Sequence, residues 1–173
     1  MPNLVVVRGP VGAGKTTLIR AISEELPNYT ALEVDALKRL IDPNERSLWR
    51  RDVAHKTGLF LARELLESGR SVATETHTRW PEQTEGFREL AQATGAHFVS
   101  CLVTAPLSVC IERAAQRDLP DINYDIGESL VRTYHTNLEP FPGELAIDSS
   151  CCDIRDATRQ LAAAIVKLND DKE

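Results

Sequence analysis

Short runs of apolar and β-branched residues alternate along this chain with longer stretches in which apolar positions recur every three or four residues. Asn3–Arg8 (NLVVVR) is a continuous apolar run, the pattern of a strand buried on both faces. Lys15–Leu26 has helical spacing and halts before Pro27, and Thr30–Val34 (TALEV) reads as a second short strand. The spacing of Leu48, Val53, Leu59, Leu61, Ala62, Leu65 and Leu66 predicts a long helix over Asn44–Glu67, ended by Gly69. Arg70–Glu75 (RSVATE) follows as a third strand. Pro81–Thr94 is a predicted helix with proline in its first turn and Gly95 behind its last. A strand over Ala96–Val103, helices over Pro106–Arg117 and Gly127–Asn137, a strand over Leu145–Asp148 and a helix over Ile154–Leu168 complete the pattern. Five strands separated by helices predict an α/β fold, a mostly parallel five-stranded sheet with helices on both faces. In such sheets ligands gather at the carboxyl ends of the strands.

Composition narrows the class. The 173 residues are 42% hydrophobic and 27% charged, which excludes a disordered chain and suits one domain over 1–173. The longest apolar runs, Leu4–Val7 and Leu161–Val166, fall far short of the ~20 residues that span a bilayer. No charged, then apolar leader opens the sequence, so the expected compartment is the cytoplasm. A net charge of −6 and a pI near 5.3 argue against a nucleic-acid partner gripped through its backbone. The four cysteines, Cys101, Cys110, Cys151 and Cys152, lack metal-ligand spacing and read as reduced thiols.

The strongest chemical signal is Gly9-Pro10-Val11-Gly12-Ala13-Gly14-Lys15-Thr16, which satisfies GxxxxGK[ST] between a predicted strand and a predicted helix. Glycines at these places let successive N–H groups turn inward around an anion, and the following helix adds its positive end. The Lys15 ammonium can reach the β- and γ-phosphates of a nucleoside triphosphate, and the Thr16 hydroxyl suits Mg²⁺. Thr17 continues the loop into the helix. No DxxG or NKxD motif of a GTPase switch is in place, and motor ATPases need more chain, which leaves the small phosphotransferases.

With these residues, Val5–Thr17 (VVVRGPVGAGKTT), Glu33-Val34-Asp35, Gly69–Glu75 (GRSVATE), Ala105–Arg117 (APLSVCIERAAQR) and Glu144–Ser149 (ELAIDS), the chain resembles P-loop kinases of the nucleoside monophosphate kinase group. It is most similar to the AAA_33-type kinases near zeta-toxin-like kinases, chloramphenicol phosphotransferase and polynucleotide kinase. The resemblance spans nearly the whole chain. It implies a doubly wound sheet of five parallel strands with ATP and Mg²⁺ as cosubstrates, and it leaves the acceptor open.

Asp35, at the expected end of the second strand, can orient an acceptor hydroxyl or take its proton; the resemblance implies the same role, and the alternative is an N-cap for a helix from Ala36. Glu75 ends the expected third strand. The resemblance implies that it reaches Mg²⁺ through water or binds the acceptor, although Glu stands where Asp is more usual; otherwise it is a solvated strand end. In the polar segment that follows, His77 and Arg79 can contact the acceptor, although a lone loop histidine is more often without a role in the site. Arg113 and Arg117 share a helix face four residues apart. The resemblance implies that Arg113 stacks on adenine, that Arg117 reaches the transferring phosphates, and that a short lid lies at about 118–126. Arg46, Arg50, Arg51 and Lys56, with Trp49, decorate the long helix and read chiefly as a solvated face.

The expectation is therefore an ATP-dependent kinase acting on a small-molecule hydroxyl, with Lys15, Asp35 and Arg117 catalytic. Gly9 to Thr17, with Arg113, would hold the nucleotide, and Thr16 and Glu75 the metal. A polynucleotide 5′-hydroxyl acceptor and a regulatory ATPase module are the rivals.

Overall fold

A computed structural model of the chain describes residues 1–42, 47–116 and 127–170. In order the elements are β1 (Asn3–Gly9), α1 (Lys15–Glu25), β2 (Tyr29–Leu32), α2 (Val34–Ile41), α3 (Leu48–Glu67), β3 (Ser71–His77), α4 (Pro81–Thr94), β4 (His97–Thr104), α5 (Leu107–Ala115), α6 (Glu128–Tyr134), β5 (Leu145–Asp148) and α7 (Ile154–Asp170). The strands form one sheet in the order β2-β3-β1-β4-β5, and every pairing is parallel.

β1 lies in the middle and is buried throughout. Successive side chains of a strand point to opposite faces, so its apolar run serves two cores. Val5 and Val7 pack with Leu18, Ile19, Ile22 and Leu161 of α1 and α7, whereas Leu4 and Val6 pack with Ala62, Leu66, Phe87 and Leu90 of α3 and α4. Each fully buried valine contributes roughly 1.5–3 kcal/mol over leaving it in water, which is why a strand with no polar face suits only this central place. The turns after β1 and β3 leave toward opposite faces of the sheet, α1 on one and α4 on the other. A crevice therefore opens at the carboxyl ends of these neighbours.

Several boundaries differ from the expectation. β2 stops at Leu32, and Glu33 is the N-cap of the eight-residue helix α2, so Asp35 lies in the first turn of a helix and not at a strand end. Val34 misled the pattern: it is buried, but as the first residue of that helix. α3 begins at Leu48 behind Ser47, whose hydroxyl accepts the Arg50 amide, and not at Asn44. β3 runs two residues past Glu75 to His77. α6 ends at Tyr134, with Asn137 in the left-handed region at φ 54°. Residues 43–46, 117–126 and 171–173 are outside the described residues, and with them the expected lid at 118–126 and Arg117. Among the described residues no helix is long and apolar enough to cross a membrane.

Candidate active site

The loop between β1 and α1 is pinned from below. Val11 and Ala13 are buried in the core, and a Cβ at Gly9 would overlap the Val103 carbonyl oxygen of β4. Gly12 has φ +84° and presses on α5, where an added Cβ would come within 2.9 Å of the Cys110 Cα. Gly14, at φ +94°, is the N-cap of α1, and a Cβ there meets nothing within 4 Å. The inward side of the loop is thus open backbone beside a helix N-terminus, an anion cradle. The Pro10 carbonyl accepts from the Ala13 amide (3.4 Å) and from Lys15 Nζ (2.9 Å), so the buried lysine lies along the cradle. Thr17 is exposed on the first turn of α1.

Thr16 meets the neighbouring strand. Its hydroxyl donates to Glu75 Oε2 at 2.7 Å, and the other carboxylate oxygen, Oε1, is buried without a hydrogen-bond partner. Glu75 is 4% exposed, which excludes the solvated strand end. Burial, and then the nearby Asp35 charge, push its carboxyl above the usual range against the pull of Lys15 and Thr16. A hydroxyl and a partly satisfied carboxylate are hard oxygen donors that fit Mg²⁺. Among the described residues there is no cluster of three His, Cys, Asp or Glu side chains able to hold a metal, so phosphate oxygens and water would complete its shell.

Asp35 faces the same crevice. Burial alone would raise its carboxyl, but Lys38 Nζ at 2.7 Å and the His77 ring outweigh it and hold Asp35 well below the ordinary carboxylate range. Its side chain is 34% exposed, so an incoming group can touch it. The capping alternative fails, because Glu33 occupies the N-cap and its carboxylate is taken by Arg20 at 2.6 and 2.8 Å.

His77 is the last residue of β3 and is buried. Burial first, then the Lys15 charge, lower its pKa to about 4, so it is neutral near pH 7. Its Nε2 lies 3.6 Å from Asp35 Oδ1, and Nδ1 has no partner. The ring meets Trp80 and Tyr134 edge to face, with centroids 6.0 and 5.2 Å away, and those two rings are 5.0 Å apart. Arg79 is exposed and donates to the Thr133 carbonyl at 3.1 Å. The helix face read as solvated is not uniformly so: Arg50 is buried and bonds the Asp42 carbonyl, and Arg51 lies over Trp80 at 4.5 Å.

On the far side of the loop Arg113 donates to Ser149 Oγ (2.8 Å) and to the Ser149 carbonyl (2.9 Å). The same hydroxyl donates to the Ala13 carbonyl at 2.8 Å, with Thr104 O at 3.1 Å. Arg113 therefore ties α5 to the turn after β5 and to the loop. All four cysteines are free, with Cys101 and Cys110 buried as expected; burial pushes the Cys101 thiol up to about 12.

The structure thus brings together Gly9 to Thr16, Asp35, Glu75 and His77, and places Arg113 beside the loop. The sequence reading missed Lys38 and Tyr134. Lys38 was findable as the i+3 neighbour of Asp35 on a helix, but nothing local marks Tyr134, which arrives from α6.

Glycine cradle, sheet order and facing carboxylate define a P-loop nucleotide-binding protein with the fold of the small kinases. More narrowly, the chain belongs to the AAA_33 family, described as an AAA domain, whose profile matches residues 4–141. It is 34% identical over 125 residues to a guanylate kinase of Rubrobacter xylanophilus, a match that covers 69% of this chain and 58% of that relative's length. Its fold is similar to that of a presumptive kinase from Chloroflexus aurantiacus (TM-score 0.75, 21% identity, 94% of this chain and 98% of that one). It is also similar to a gluconokinase from Sinorhizobium meliloti (TM-score 0.69, 22% identity, 98% and 95%).

Proposed function

We propose that the protein is an ATP-dependent kinase that transfers the γ-phosphoryl group to a hydroxyl of a small-molecule acceptor. The observation that carries this reading is Asp35: an ionised, reachable carboxylate across the crevice from a phosphate cradle. Such a charge repels an acceptor that is itself a phosphate oxygen and attracts a neutral hydroxyl with a proton to share.

In this reading the backbone from Gly9 to Thr17 surrounds the phosphates, Lys15 leaves the Pro10 carbonyl for the β- and γ-oxygens, and Arg113 stands on the nucleotide side; the role proposed for Arg117 is charge neutralisation on the transferring phosphates. The acceptor oxygen bonds to phosphorus as the bond from phosphorus to the β–γ bridging oxygen breaks. ADP departs with that electron pair, and the hydroxyl proton passes to Asp35 and on to water. A carboxyl held so far down is a weak base, so its first task is to aim the hydroxyl, with the proton moving late in a loose transition state. Mg²⁺, which Thr16 and Glu75 would hold directly or through water, supplies charge neutralisation on the phosphates.

The test is Asp35→Asn. Asn keeps the shape but cannot take the proton. ATP affinity should survive while transfer falls by roughly 10²–10⁴-fold. Near-normal transfer in this variant would remove Asp35 from the chemistry.

A further inference from the structure

Beside Asp35 the crevice has a second wall that the transfer step does not use. Three rings from three elements meet there: His77 from β3, Trp80 from the turn before α4, and Tyr134 from α6. Trp80 and Tyr134 are only half-buried. Two guanidinium groups flank them. Arg51 lies 4.5 Å from the Trp80 centroid, and Arg79 lies 5.9 Å from Trp80 and 5.7 Å from Tyr134. Arg51 is paired with the exposed Asp52 at 2.7 Å. Among the described residues Arg79 meets a backbone carbonyl and no carboxylate.

Two buried polar atoms at this place also lack partners, His77 Nδ1 and Thr78 Oγ1, in residues 8% and 2% exposed. Buried polar atoms are nearly always satisfied, so these two point to a polar ligand group; the other ring nitrogen, His77 Nε2, faces Asp35. The wall therefore combines an anion, a neutral imidazole, aromatic surface and two guanidinium groups set against that surface. The exposed part of half-buried aromatic rings can take planar rings or the C–H face of a sugar, and a guanidinium fork fits phosphate or carboxylate oxygens.

We propose that this corner holds the body of the acceptor, and that the acceptor is an anionic ring compound. One of its hydroxyls faces Asp35 and His77, its ring rests on Trp80 and Tyr134, and its phosphate or carboxylate is taken by Arg51 and Arg79. The proposal rests on the kinase reading and adds the chemical class of the substrate. In this pose the arginines take the anion and Asp35 takes the hydroxyl, which leaves the hydroxyl end for the phosphoryl donor.

The chain has two tryptophans, Trp49 and Trp80. Trp49 is 59% exposed on α3, so Trp49→Phe leaves Trp80 as the only indole reporter at little structural cost. In that background, matched probes are titrated by Trp80 fluorescence: glucose 6-phosphate against glucose, glucuronate against glucose, uridine 5′-monophosphate against uridine, and glucose 6-phosphate against open-chain sorbitol 6-phosphate. The phosphate, carboxylate and nucleotide arms distinguish the source of the anion.

At least one charged ring probe should bind about tenfold or more tighter than its neutral partner and tighter than the open-chain phosphate. Arg79→Gln and Arg51→Gln should each collapse the charged-to-neutral ratio while leaving the neutral member and ATP unaffected. Equal affinity for charged and neutral members, or a ratio untouched by both substitutions, overturns the proposal. ADP formation with MgATP is followed in parallel. Charge-selective binding without ADP above the acceptor-free rate sinks the kinase reading and leaves the site standing. Transfer to neutral or open-chain acceptors without charge selectivity sinks the site and leaves the kinase.

Discussion

Glu75 and Asp35 are carboxylates on one crevice, and the protein pushes them in opposite directions. Glu75 is driven up by burial, and Asp35 is held down by Lys38 and His77. Opposed shifts of this kind separate roles: the depressed group stays an anion for the acceptor, while the raised one gains most from a cation placed beside it. Glu75→Gln tests the second half. The amide keeps the shape and can still accept from Thr16, so the half-saturating Mg²⁺ concentration for turnover should rise about tenfold, which is 1.4 kcal/mol. Because removing a buried charge relieves desolvation, the melting temperature should hold or rise. A Mg²⁺ titration alongside a thermal melt reads both, and an unchanged Mg²⁺ requirement would clear Glu75 of any part in metal binding.

Among the elements, the phosphate loop shows how tightly function is tied to packing. Gly12 sits against α5 with a positive φ, so Gly12→Ala brings both backbone strain and overlap with the Cys110 carbonyl. The loop must lift off α5, and triphosphate affinity should fall at least tenfold while far-UV circular dichroism stays native. Equal nucleotide binding in this variant would show the contact to be slack. This loop was legible from sequence because its signals are local, glycines and a lysine at fixed spacing between strand and helix. The strands were legible for the same reason, each being a short run built on apolar and β-branched residues. α2 was not, since the apolar alternation of TALEV extends a strand across Glu33 and Val34, where the chain has already turned. Nor was the partnership of Asp35 with His77, because it depends on β2 and β3 lying side by side. The aromatic wall was half visible: His77, Arg79 and Trp80 stand together in the chain, but Tyr134 joins them only through the tertiary fold.

Across the whole molecule, one buried ion pair draws the carboxyl edge of the sheet together. Arg8 in β1 donates from Nε to both Glu144 oxygens at 2.7 and 3.0 Å, with the two side chains 3% and 1% exposed. Arg8 also donates to the Asn137 and Glu139 carbonyls and stacks on Phe141 at 3.8 Å. Glu144 accepts from Ser100 of β4 and the Phe141 amide, and Asn137 reaches the Thr78 carbonyl after β3 at 3.1 Å. The segment from Asn137 to Glu144 is thus strapped across three strands. Glu144→Gln leaves a guanidinium buried without its counter-ion and should cost about 3–5 kcal/mol. The pair Arg8→Met with Glu144→Leu removes both charges and should recover the larger part. Denaturant melts of the three proteins decide it, and a harmless Glu144→Gln would show that water reaches the pair.

The central place of β1 has a consequence in time. Val5 pairs with Ala73 on one side and Val99 on the other, so the most apolar strand precedes both its partners in the chain. A ribosome adding ~5–20 residues per second needs on the order of ten seconds to reach the second of them. Until β3 is made Leu4–Val7 has no ladder to join, and until β4 is made it has one bare edge, and a bare run of this kind is an invitation to pair with another chain. The strand that later anchors the phosphate loop is, during synthesis, the segment most in need of a chaperone's cover.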